Sequence, residues 1–209
     1  LVSLKDVAID MPAGPSEVEV IADESANPAF IAADFLSQAE HGVDSQAMLV
    51  TASESIVEPV MQAIREQLDR LPRKEITEKS LSHSRLIVLK DKQEVIDFTN
   101  LYAPEHLIIQ TTDYADIAGQ VENAGSVFMG SYTPESAGDY ASGTNHTLPT
   151  NGYAKAYSGV NLDSFIKKIT FQEITADGIR LLGGTIRTMA ANEQLDAHKN
   201  AVTIRLNTL

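Results

Sequence analysis

Short apolar runs alternate along most of this chain with stretches in which apolar residues recur every three or four positions. The runs read as strands buried on both faces, and the periodic stretches as amphipathic helices. Val7-Ala8-Ile9-Asp10 predicts a first short strand, and two prolines and a glycine make Met11 to Ser16 a loop. A second strand is expected over Glu17 to Ala22. Asn27-Pro28 then supplies an N-cap and a proline at the first helical position, and the helix should run to about His41 with Gly42 as its stop. Its apolar stripe is Ile31, Ala32, Phe35, Leu36 and Ala39, which leaves Gln38 and His41 as neighbours off that stripe. Strands follow at Ala47–Thr51, Arg85–Leu89, Leu107–Gln110 and Ser126–Met129. Helices are predicted between them: one carrying Ile56, Val57, Val60, Met61, Ile64 and Leu68, one over Gln93–Tyr102, and a short one over Asp113–Val121.

That alternation predicts an α/β protein with a mostly parallel, Rossmann-like sheet and helices on both faces, followed by a helical C-terminal tail. Past Gly159 the pattern changes to a short helix over Asn161–Lys168, an extended piece over Thr170–Ile174, and helices over Ile179–Glu193 and Leu195–Ile204. Three segments are expected. Residues 1–16 read as the remnant of a neighbouring lobe, since the chain opens on Leu1 in strand-like sequence without an initiator methionine. Residues 17–159 form the α/β lobe. Residues 160–209 form the tail, whose Leu181, Leu182, Ile186 and Met189 make an apolar face that needs a surface to cover.

Composition narrows the class. Apolar residues are 43% of the 209, enough for a sizeable core, and the net charge of −13 argues against nucleic acid or an anionic membrane as partner. No apolar run approaches the roughly 18 residues of a membrane span, and no basic-then-apolar segment opens the chain, so a cytoplasmic location is expected. The absence of cysteine excludes disulfides, thiolate metal sites and a cysteine nucleophile.

Candidate chemistry centres on the polar stretch Ser131 to Thr150, a long loop after a buried strand, with Asp139 and His146 in it and glycines at 138 and 143. His106 follows Glu105 at the mouth of a strand, where an adjacent carboxylate and imidazole suit acid–base work. The mouths and loops of a parallel sheet converge on one edge, so His106, Asp139 and His146 are expected to meet there. His41 pairs with Gln38, and His198 lies near Glu193 in the tail; only His83 has no polar companion. Two imidazoles, a carboxylate and an amide oxygen would suit a divalent metal, leaning to zinc. By themselves Gln38–His41 and His198 read more readily as solvated surface residues and Glu105–His106 equally as a solvated helix end, so residue chemistry alone stops at a metal-dependent enzyme.

Five blocks carry a resemblance further. Asp10-Met-Pro-Ala-Gly-Pro-Ser-Glu17, Leu36-Ser-Gln-Ala-Glu-His-Gly42, Ala103-Pro-Glu-His-Leu107, Gly138-Asp-Tyr-Ala-Ser-Gly-Thr-Asn-His146 and Leu195-Asp-Ala-His198 resemble histidinol dehydrogenases, in order and spacing, over roughly the C-terminal half of a family member. The resemblance implies oxidation of L-histidinol to L-histidine through L-histidinal, the end of histidine biosynthesis, by a homodimer using NAD and one zinc ion per site. It implies Gln38, His41, Asp139 and His198 as zinc ligands. Ser16, His106 and Glu193, with those ligands, would contact substrate. Glu105 would activate the water that hydrates the aldehyde, His106 would move protons, and His146 would be a further active-site histidine. The tail, with Glu193 and His198, would complete the partner subunit's site. No Gly-x-Gly-x-x-Gly occurs here, and the family's main NAD contacts lie outside this portion, so the piece alone is expected to be inactive. The rival readings are a zinc-dependent hydrolase and a non-enzymatic metal-binding or interaction module.

Overall fold

The computed structural model describes residues 11–209, so the strand expected over Val7–Asp10 lies outside the described residues. The chain divides into two compact units, the first ending at Ile166 and the second spanning Lys167–Leu209.

The first unit is built on five parallel strands, β1 (Glu17–Ala22), β2 (Gln46–Thr51), β3 (Arg85–Val88), β4 (His106–Gln110) and β5 (Ser126–Met129), in the order β3-β2-β1-β4-β5. Every pairing is parallel, so each connection must cross a face of the sheet, and helices make the crossings. Helices α1 (Pro28–Ala39), α2 (Val57–Leu68) and α3 (Lys74–Leu81) occur between β1 and β3; α4 (Lys92–Tyr102) and α5 (Tyr114–Ala118) flank β4; α6 (Glu135–Tyr140) follows β5. Alternate strand residues feed two cores. Val18, Val20, Leu49, Ile108 and Phe128 pack with Ile31 and Phe35 of α1 and Val60 of α2. Ile21, Val50, Leu107 and Ile109 pack with Val95 and Ile96 of α4 and Ile117 of α5. This is the expected α/β architecture with helices on both faces.

Two helices were not apparent in the sequence. The buried face of α3 consists of Thr77 and Ser80, and α6 lies inside the stretch expected to be a loop. Two expected elements differ. Asn161–Lys168 contains only a 3₁₀ turn at Leu162–Phe165, and Thr170–Ile174 forms no strand.

Local chemistry fixes the elements that matter for the site. Asn27 caps α1 by accepting from the Ala29 N–H (2.9 Å), with Pro28 at the start as expected. The helix ends at Ala39, short of the expected end, and His41 stands just beyond it, its N–H donating to the Gln38 carbonyl (3.2 Å). Helix α4 ends where Ala103 turns left-handed (φ 58°); Pro104 forbids continuation, and the chain enters β4 at His106. Glu105 and His106 are thereby set at the amino end of a central strand.

Glu19 on β1 is fully buried on the α4 side, where the Thr99 hydroxyl donates to Oε1 and Oε2 has no partner. Burial pushes its pKa from 4.5 to about 8. Below about pH 4.5 the folded and unfolded chains both hold this proton. Above that the unfolded chain releases it first, so the contribution to stability is lost as pH rises and levels off above about 8. Replacing Glu19 by glutamine is expected to raise stability by about 1–3 kcal/mol at pH 7–8 and to leave it nearly unchanged at pH 4, as read from urea unfolding of the chain at the two pH values.

The second unit holds α7 (Ala176–Asn192) and α8 (Asp196–Leu206), packed on each other through Gly183, Val202 and Leu206. A Cβ on Gly183 would come within 2.7 Å of the end of the Leu206 side chain, so the bare glycine lets that side chain lie close against α7. Leu181, Leu182 and Met189 remain exposed. No helix among the described residues is long and apolar enough to cross a membrane.

Candidate active and metal site

The site is built at the amino end of the sheet, on the face that carries α1. His106 opens β4, paired with Val18 of β1 and Ser126 at the start of β5. Its side chain shares a face with Gln110, whose amide donates to Asp34 of α1 (2.9 Å). The imidazole is almost wholly buried beside Phe128 (ring centroids 5.9 Å apart). Its Nδ1 lies 3.1 Å from the Glu17 carbonyl, an acceptor only, so Nδ1 carries the proton and Nε2 holds a free lone pair. Nε2 is buried without a partner. Burial pushes the imidazole pKa down, and the nearby His41 and His146 push the same way, so the ring is neutral at neutral pH. The 3.6 Å between His106 Nδ1 and Glu105 Oε2 therefore separates a neutral ring from the carboxyl group and is no ion pair.

Glu105, also buried, accepts from the Glu17 N–H (2.9 Å). Its pKa is pushed up to about 8, first by burial and then by the carboxylates of Glu17 and Asp139. The register that presents the pair is tightly held. The Ser126 N–H donates to the Glu105 carbonyl (2.9 Å), and a Cβ on Gly125 would come within 2.5 Å of that same oxygen.

Helix α6 brings a second set of groups. One ligand atom each from His41, Glu135 and Asp139 lies within 4.8 Å of the other two. Glu135 is buried, Oε2 has no partner, and Oε1 lies 4.0 Å from His106 Nδ1. Its pKa is pushed up to about 9, first by burial and then by Asp139, Glu105 and Asp34. Gln38 is completely buried with both amide atoms unpartnered. An imidazole, two neighbouring carboxyl groups and an orphaned amide oxygen are a donor set that a divalent cation satisfies.

A family model for histidinol dehydrogenase matches residues 1–206. The chain belongs to the histidinol dehydrogenase family. It is 70% identical over its whole length to the histidinol dehydrogenase of Bacteroides thetaiotaomicron, covering 49% of that protein. It is 58% identical over 97% of its length to the chloroplastic enzyme of Arabidopsis thaliana, covering 44% of it. The crystal structure of histidinol dehydrogenase from Elizabethkingia anophelis superposes with a TM-score of 0.94 at 58% identity, over 97% of this chain and 47% of that one. The chain thus spans about half the length of the curated relatives it matches.

Of the residues that the histidinol dehydrogenase resemblance singled out, the first unit brings His41 and Asp139 together and places Glu105 and His106 side by side. His146 is exposed on the loop after α6, close enough to His106 to influence its charge. Ser16 is half-buried and lines a cavity of about 300 Å³ with Glu17, Gln46 and His83. Glu193, the C-cap of α7, and His198, on α8, belong to the second unit and are exposed. Glu135 was missed. Its signal was its place four residues before Asp139, which only becomes meaningful once that stretch is helical. A crevice of about 330 Å³ lined by Ala22, Ser53, Thr111 and Asp113 opens at the carboxyl ends of the strands and contains no histidine.

Proposed function

We propose that the intact protein carrying this chain oxidises L-histidinol to L-histidine through L-histidinal, with NAD⁺ as oxidant and one zinc ion per site. The observation that carries this reading is the meeting of ligand atoms from His41, Glu135 and Asp139 near the buried Glu105–His106 pair. Four of those five residues are ones the family resemblance had singled out.

Gln38, His41 and Asp139, with His198 from the tail, would hold the metal. Bound zinc would supply Lewis acidity and a fixed seat for the imidazole and amine of the substrate, and NAD⁺ the hydride acceptor. His106, neutral and with Nε2 unpartnered, takes the hydroxyl proton as hydride leaves the carbinol carbon. The aldehyde is oxidised as its hydrate, and Glu105 takes the proton of the attacking water. A pKa near 8 lets Glu105 accept and return that proton near neutrality. His106 repeats its role on the hydrate. Ser16, His146 and Glu193 would contact the bound substrate.

The second unit is the proposed dimer element. Leu181 is 82% and Met189 58% exposed, an apolar face that a partner subunit would cover, placing Glu193 and His198 in the partner's site. The cytoplasmic location belongs to the same reading, although the Arabidopsis relative is named as chloroplastic.

Metal analysis combined with an assay of NADH production tests the proposal. The intact protein should contain zinc and form two NADH per histidinol, whereas the 209-residue chain alone should form essentially none. Metal-dependent turnover without NAD would favour a hydrolase instead, and vigorous NADH formation by the 209 residues alone would overturn the assignment of this chain as half of the machinery.

A further inference from the structure

We infer that Glu17 is the positioning residue of the acid–base pair, its main chain orienting Glu105 and His106 and its side chain anchoring that main chain. The inference rests on the function proposed above and adds to it the element that sets the tautomer of His106.

Glu17 is the first residue of β1, and the β1–β4 ladder begins one residue later, at Val18 and His106. Its main-chain N–H and C=O face β4, because the Gln46 N–H donates to the Ser16 carbonyl on the β2 side. Both go to functional side chains: the N–H donates to Glu105 Oε2 (2.9 Å), and the C=O accepts from His106 Nδ1 (3.1 Å). One residue therefore holds the carboxyl group in place and forces the imidazole proton onto Nδ1, which leaves Nε2 as the base. A strand end tends to fray, so such a device needs an anchor. The Glu17 carboxylate is clamped on two sides. Oε1 accepts from the Asn151 N–H (3.0 Å), and Oε2 lies 3.1 Å from the Tyr102 hydroxyl. That hydroxyl is also 2.9 Å from Gln46 Oε1, and the Gln46 amide is oriented by its Nε2 donating to the His83 carbonyl (2.8 Å). Tyr102 has one proton to share between the two oxygens, and its ring stacks on Phe98 of its own helix. The clamp draws on β1, β2, α4 and the loop at Asn151, all of them within the first unit. The side chains of Glu17, Tyr102 and Gln46 need not touch substrate for the effect to operate.

The test uses the intact enzyme and reads kcat, KM and the ¹⁵N shifts of His106. Glu17→Ala should lower kcat roughly tenfold with KM within about twofold, and should change the His106 ring nitrogens from a single Nδ1–H tautomer to a mixture. Glu17→Gln, which can still accept from Asn151 and bond Tyr102, should restore most of the rate and the single tautomer. Tyr102→Phe, which removes one hydroxyl and keeps the ring, should shift kcat and tautomer in the same direction by a smaller factor, and covers the case in which Glu17→Ala does not fold. If the wild-type enzyme oxidises histidinol and Glu17→Ala or Tyr102→Phe lowers only thermal stability, with kcat and tautomer unmoved, the positioning role is overturned. If the wild-type enzyme has no such activity, the proposed function fails, while the tautomer measurement still decides whether Glu17 orients His106.

Discussion

An Asp139→Asn enzyme should lose zinc. Asp139 contributes one of three ligand atoms that converge within 4.8 Å, and the amide that replaces it carries no charge to offset a divalent cation. Outer-shell substitutions at metal sites already cost about 10–100-fold in affinity. Loss of a direct carboxylate ligand should therefore weaken binding by about a hundredfold or more, with turnover falling in parallel. His41→Ala should behave alike. The measurement is zinc per protomer after dialysis against a graded chelator, alongside the rate of histidinol oxidation. Retention of full zinc at wild-type affinity in either variant would remove that residue from the ligand set.

Glu105→Gln should separate the two oxidations. The glutamine oxygen can still accept from the Glu17 N–H, so the geometry of the strand entrance survives while the proton acceptor is lost. Zinc should stay bound. Under the proposed function, oxidation of the aldehyde through an activated water should slow by about 10²–10⁴-fold, and oxidation of the alcohol, assigned there to His106, by much less. Histidinol and histidinal supplied as separate substrates resolve the two steps. Equal losses in both would assign Glu105 to something other than water activation.

Most of the lobe could be read from the sequence because its signals were apolar. The β1, β2 and β4 runs are buried on both faces, and α1 carries both its cap and its stripe where they were expected. What escaped lacked that signal. Helix α3 buries Thr77 and Ser80, with the Ser80 hydroxyl donating to the Ser45 carbonyl (2.8 Å), and hydroxyl groups do not register in a hydrophobic pattern. Helix α6 is short, polar and interrupted by Gly138, which is needed because a Cβ there would lie 2.7 Å from the Phe128 ring. Missing α6 hid the partnership of Glu135 with Asp139. The convergence of His106, Asp139 and His146 was anticipated from the general habit of α/β sheets to use their carboxyl edge. The groups do gather around His106, but at the amino end of β4, because Ala103 and Pro104 place Glu105 just before the strand and His106 at its first residue, and α6 packs against Phe128.

The strand order also bears on when this chemistry can exist during folding. Glu17 and Glu105 are 88 residues apart, and β1 meets β4 only after the chain has passed through β2 and β3. The pairings of β1 with β2 and of β2 with β3 close shorter loops and can form without β4. A chain that has made only those contacts already has part of its hydrophobic core, yet its imidazole has no carbonyl to select a tautomer and its carboxyl group has no N–H to hold it. Competence for proton transfer is thus bound to the longest-range closure in the sheet, the step for which contact order predicts the slowest arrival.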